Sequence, residues 1–201
     1  MRGRAIWLAL VVSCSGSVGD DDGNSPTDGQ NPTDGQAPGD SRQVPGGDGE
    51  PAGLAGITLA HNQVRDMVDT TDPLPFLTWS NELAATAAAW AAQCVDTEQP
   101  IGLIDHNPGR SDGHPYYVGE NIFGSGGGAS GQEAVQLWAA EGANYTYATN
   151  ACNGVCGHYT QVVRRTTLEV GCALHVCPGL QFGTSIVCDY GPGGNSGGAP
   201  Y

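Results

Sequence analysis

Apolar side chains recur at helical spacing in three stretches and alternate near the end of the chain. Ile57, Ala60, His61, Val64, Met67 and Val68 fall three and four apart, which predicts a first helix over 54–68. Ser80 is a good N-cap and Glu82 suits the positive first turn, so a second helix begins there. Its buried stripe is Leu83, Ala87, Trp90, Ala91 and Cys94. A third helix opens with the capping box Ser130-x-x-Glu133 and presents Ala134, Leu137 and Trp138 as its apolar face. Glu141 shares that inward stripe, and a carboxylate on a buried face needs a partner or a purpose. Further on, Val170, Cys172, Leu174 and Val176 alternate with Gly171, Ala173, His175 and Cys177. A second β-type run covers 182–190, with Pro178-Gly179 marking the turn between the two. Cys172 and Cys188 are equidistant from residue 180, so a hairpin centred there sets them face to face. Three helices and a short antiparallel sheet predict an α+β layered domain.

The regular pattern begins only at Leu54. Residues 1–14 read as an export signal: Arg2 and Arg4, a short apolar stretch, then Ser13 before Cys14. Val11-Val12-Ser13-Cys14 resembles the processing box of bacterial lipoproteins, which implies cleavage before Cys14 and a lipid anchor there. Residues 15–53 read as a disordered linker, rich in Gly, Pro and Asp and nearly repeating Pro-Thr-Asp-Gly-Gln at Pro26 and Pro32. Such a segment buries too little apolar surface to offset the entropy of ordering. Residues 54–201 are long enough for one sizeable core.

Seven cysteines are an odd number, and setting Cys14 aside leaves six. Behind an export signal, Cys94, Cys152, Cys156, Cys172, Cys177 and Cys188 imply three disulfides rather than a zinc-thiolate site at Cys152 and Cys156. The chain has 7 basic residues, all Arg, against 21 acidic ones, a net charge of −14. That excludes a nucleic-acid partner, which requires clustered cations, and attraction to an anionic membrane. No apolar run is long enough to span a bilayer.

Chemistry near neutral pH falls to a few side chains. His106 lies in Asp105-His106-Asn107-Pro108, His158 follows the Cys152/Cys156 pair, Glu120 lies in Gly119-Glu120-Asn121, and Glu141 sits on the inner face of the third helix. Imidazoles with carboxylates suit zinc or a similar divalent ion, and also general acid–base work. A buried, self-satisfied network is the alternative. His61 is expected in the core, His175 on the surface, Arg65 as a structural partner for nearby carbonyls or carboxylates, and Tyr145 and Tyr147 against the end of the third helix.

Cys152-Asn153-Gly154-Val155-Cys156-Gly157-His158-Tyr159-Thr160-Gln161-Val162-Val163 resembles a signature of the CAP superfamily, which spans cysteine-rich secretory proteins, antigen 5 and plant pathogenesis-related-1 proteins. His61-Asn62-x-x-Arg65, Leu77-x-Trp79, Gly119-Glu120-Asn121, Trp138-x-x-Glu141, Ile186-Val187-Cys188-Asp189-Tyr190 and Gly198-x-Pro200-Tyr201 extend the likeness in order over 54–201. The resemblance implies a disulfide-stabilised three-layer α-β-α sandwich with a small antiparallel sheet and a central cleft. It maps the family tetrad onto His106, Glu120, Glu141 and His158, with the histidines as ligands of a divalent ion such as zinc. It suggests the pairs Cys94–Cys177, Cys152–Cys156 and Cys172–Cys188. Arg164 departs from the Trp usual after Gln-Val-Val, and His114, in a long stretch before Glu120, is an alternative to His106. Gly124–Gly128 falls in a variable loop.

Three functions are compatible with these residues. One is a monomeric binding module, exported or held at the envelope surface through Cys14, that takes a divalent cation and a lipid, sterol or protein ligand in the cleft. Another is a metal-assisted hydrolase or peptidase with Glu120 or Glu141 as base. The third is a structural envelope protein. No nucleophile stands in a matched position with a base beside it, which favours the binding module over the enzyme.

Overall fold

A computed structural model describes residues 42–99 and 101–201. The expectations for residues 1–14, including Cys14, and for the linker over 15–41 lie outside the described residues.

The first helix, α1 (Ile57–Asp66), is shorter than its apolar pattern. Leu54 is buried but belongs to a 3-10 turn over Ala52–Leu54. Met67, read as part of the stripe, is 76% exposed, because the helix ends before it. The start of α1 is held from upstream: the Glu50 carboxylate accepts hydrogen bonds from the backbone N–H of Gly56 (2.6 Å) and Thr58 (2.8 Å). Arg42 donates to Leu74 O at 2.7 Å and lies over the Phe76 ring, and Asn62 donates to Pro45 O. Residues 42–53, expected as part of the linker, are thus attached to the domain. Polar contacts fasten them, and these leave no apolar signature.

Strand β1 (Thr78–Trp79) leads into helix α2 (Asn81–Ala91), capped as expected by Ser80 Oγ, which accepts from Leu83 N. Strand β2 (Gly119–Ser125) precedes helix α3 (Gly131–Ala140), where Ser130 Oγ accepts from Glu133 N. Gly124 belongs to β2 and not to a loop, and a Cβ there would strike Leu103 and Phe182. After α3 come a two-strand ribbon, β3 (Tyr145–Thr146) with β4 (Ala151–Cys152), and the short helix α4 (Gly157–Val162). Strands β5 (Glu169–Val176) and β6 (Thr184–Gly191) form the predicted hairpin, with Cys172 opposite Cys188.

The sheet order is β1-β5-β6-β2; only the β1–β5 pairing is parallel. Alternation along the strands divides the core. Val170, Cys172, Ile186, Cys188 and Tyr190 face α1, α3 and α4, while Ala173 and Val187 face α2. This is the α-β-α sandwich. Gly171 permits it: a Cβ there would run into Ser80 O and Ala84 N at the start of α2, so only glycine lets the helix lie this close. In α3 the buried residues are Gly131, Ala134, Val135 and Trp138, whereas Leu137 is 54% exposed, so Val135 takes the place expected of Leu137.

The three disulfides pair Cys94 with Cys177, Cys152 with Cys156 and Cys172 with Cys188. His61 is wholly buried between Ile57 O and the Tyr190 hydroxyl, and burial holds its pKa down at about 4. Arg65 donates to the carbonyls of Pro75, Val162, Arg164 and Thr167. Arg164 donates to the carbonyls of Gly197, Gly198 and Ala199 and so fastens the last residues. The aromatic neighbour of Tyr145 is Tyr159 of α4, while Tyr147 is half exposed and stacks on Tyr201, 4.6 Å between ring centres.

Candidate functional site

Two histidine–glutamate pairs meet at one cavity of about 380 Å³, whose wall includes Leu103, Ile104, Ile122, Val155, His106 and His158. Each imidazole is oriented by a carboxylate from a different element. His106 follows Asp105, whose own carboxylate ties the preceding loop to Thr97 and Glu98. Its Nδ1 lies 2.6 Å from Oε1 of Glu120 on β2. The same Oε1 accepts from Asn107 N at 3.0 Å. The Glu120 side chain is fully buried, while His106 is 58% exposed.

His158 is the second residue of α4. Its Nδ1 lies 2.5 Å from Glu141 Oε1, and Glu141 Oε2 accepts from the backbone N–H of His158 (2.9 Å) and Tyr159 (3.2 Å). Glu141 therefore caps α4 and aims its histidine at once. The His158 ring stacks on Trp138, and Asn121 Nδ2 donates to His158 O. With Nδ1 engaged on both rings, Nε2 is the nitrogen each has left for a ligand. A carboxylate on Nδ1 fixes the tautomer that carries a lone pair on Nε2.

All four tetrad residues predicted from the sequence are brought into these two pairs. His114 is not: its ring is almost fully covered, stacked on Tyr116 and 3.8 Å from Glu82 of α2. His175 lies beside the Cys94 and Cys177 sulfurs, but their disulfide leaves no thiolate to hold an ion there.

Sequence reasoning missed two charged residues. Arg110 donates to Val118 O, Asn107 O and the Tyr117 hydroxyl, sewing together the loop that carries His106. Asp189 of β6 sits opposite Glu120 across the ladder and is fully buried. Among the described residues, no N–H or hydroxyl donates to either oxygen of Asp189 or to Glu120 Oε2. Burial first, and the facing Glu120 carboxylate second, push the Asp189 carboxyl up to about 8. A pKa raised on folding gives stability that is complete below the ordinary carboxylate value and is lost as pH rises through about 8. Denaturant titrations are expected to show wild type losing stability between pH 6 and 8.5, and Asp189→Asn losing markedly less.

A sequence model of the family described as "CAP: Cysteine-rich secretory protein family" matches residues 58–190. Pathogenesis-related protein 1 of Arabidopsis thaliana is 44% identical over 136 residues, covering 68% of this chain and 74% of that relative. Glioma pathogenesis-related protein 1 of Mus musculus is 38% identical over 146 residues, covering 70% and 53% respectively. Among solved structures, the venom allergen-like protein 4 of Schistosoma mansoni superposes with a TM-score of 0.61 at 28% identity, over 75% of this chain and 94% of that one. A crystal structure of NaASP2 with Zn2+ superposes with a TM-score of 0.53 at 25% identity, over 76% and 88%.

Proposed function

We propose, starting from a chain that belongs to the cysteine-rich secretory protein (CAP) family, that it acts as a binding module whose cleft takes a divalent cation on His106 and His158. The observation carrying this is the pair of carboxylate-oriented imidazoles on one cavity wall. Such a donor set fits zinc: two neutral nitrogens, each with its tautomer fixed from behind. The zinc named with NaASP2, a fold relative, supports the same choice of ion. Two protein ligands leave the remaining coordination positions to water or to an incoming ligand. The apolar wall of Leu103, Ile104, Ile122 and Val155 suits a hydrophobic ligand or partner beside the ion.

Hydrolysis is the weaker reading. Each glutamate already holds a histidine; Glu141 has donors on both oxygens, and the remaining oxygen of Glu120, Oε2, is buried beside Asp189. Of the two hydroxyls that follow His158 in sequence, that of Tyr159 is bonded to the Tyr201 hydroxyl and that of Thr160 to Cys156 O and Asn195. Export and a lipid anchor on Cys14 belong to the same proposal. Three disulfides and the family's secretory description favour an oxidising compartment.

Zinc calorimetry tests the proposal. Wild type is expected to bind one ion, and His106→Ala combined with His158→Ala is expected to abolish the heat. No heat from wild type, with a large stability loss in the double variant, would convert the tetrad into a structural clamp. Peptide-library cleavage that Glu141→Gln abolishes would restore the hydrolase reading.

A further inference from the structure

We propose that Asp189 is a positioning residue of the cleft: its carboxyl carries a proton and donates it in a hydrogen bond to Glu120 Oε2, which leaves Glu120 Oε1 to hold His106. The two glutamates of the tetrad are supported unequally. Glu141 has donors on both oxygens, two of them backbone N–H groups of α4. Glu120 has donors on Oε1 alone, and its Oε2 is buried without any N–H or hydroxyl partner. Asp189 faces it in the β2–β6 register, within hydrogen-bonding reach and equally without an N–H or hydroxyl donor.

Two buried carboxylates facing each other through oxygens that have no donor are not a stable arrangement while both are charged. The nearby Arg110 offsets part of the charge from a distance. However, its Nε, Nη1 and Nη2 are bonded to Val118 O, Asn107 O and the Tyr117 hydroxyl, and none reaches Asp189. One proton on Asp189 answers both demands. It removes one negative charge, and it supplies the missing donor. Asp189 then does for Glu120 what the α4 backbone does for Glu141. The chain Asp189–Glu120–His106 fixes the ring from the sheet side, and a single negative charge remains on the carboxyl pair.

The affinity arm of the test rests on the cation-binding reading; the spectroscopic arm does not. Infrared difference spectra of the full chain at pH 6 are expected to show a protonated-carboxyl C=O band that Asp189→Asn removes. Asp189→Leu deletes the donor and is expected to weaken zinc binding about tenfold or more, the usual cost of losing support behind a ligand. Asp189→Asn offers an amide N–H to the same oxygen and should rescue most of that loss. Absence of the band, or zinc binding by Asp189→Leu equal to wild type, overturns the proposal. If wild type itself binds no zinc, the cation reading fails alone. The infrared band and the His106 tautomer, read by nitrogen NMR in wild type and Asp189→Leu, then decide the role of Asp189.

Discussion

Arg65→Met is expected to lower the melting temperature by roughly 10–20 °C, the largest effect of any single substitution considered. Arg65 is buried, and its guanidinium serves four carbonyls: those of Pro75, Val162, Arg164 and Thr167. These come from the segment after α1 and from the end of α4 and the bend that follows it, so one side chain joins two stretches about ninety residues apart. Met fills a similar volume but donates nothing. An orphaned buried acceptor costs about 1–3 kcal/mol. Removing a desolvated cation returns part of the sum. The desolvation is real, since burial holds Arg65 down at about 10, yet it stays charged at neutral pH. A net loss on the order of 5 kcal/mol follows, and a domain of this size shifts by about 2–4 °C per kcal/mol. Thermal unfolding followed by circular dichroism checks this. A shift of only a few degrees would mean that water reaches those carbonyls.

The second large effect concerns the disulfides, which should rank by the loop each closes. Cys94–Cys177 spans 83 residues, Cys172–Cys188 spans 16 and Cys152–Cys156 spans 4. The chain-entropy account gives losses of about 4.6, 3 and 2 kcal/mol on removal. Paired alanine variants, compared by chemical denaturation, are therefore expected to be least stable for Cys94 with Cys177. The local loss should be smallest at Cys152 with Cys156, where the bridge joins the end of β4 to the residue before α4. Because Cys172 and Cys188 are buried facing partners in the ladder, their removal also leaves space in the core. If that pair proved the more damaging, packing rather than chain entropy would govern the order.

Much of this architecture is legible in the sequence where local rules act alone. Ser80 and Ser130 announce their helices because a cap is a contact over three residues. The β5–β6 register follows from the two-residue period once the turn is located. The α3 face slipped because Leu137 and Val135 flank the same stripe, and spacing alone does not choose between flanks. Helix α4 is too short and too glycine-led to signal itself; its cap is Glu141, sixteen positions before its first residue. Residues 42–50 read as linker because Glu50 and Arg42 act through hydrogen bonds to distant backbone. Asp189 was illegible for a different reason. In an alternating strand a polar residue reads as solvent-facing, and only knowledge that both faces of this sheet are covered turns it into a buried acid. The four tetrad residues were recognised together through their ordered motifs, whereas spacing alone says nothing about how they pair.

Trp138 lies at the back of the site, 2% exposed, with the His158 ring stacked over it and the His61 ring tilted against it. His61 stays neutral down to mildly acidic conditions, so charge arriving on the other ring falls on a fluorophore in an otherwise constant field. Were an ion to settle on His158, the emission of Trp138, separated from that of Trp79 and Trp90 by substitution, would register it with no label attached.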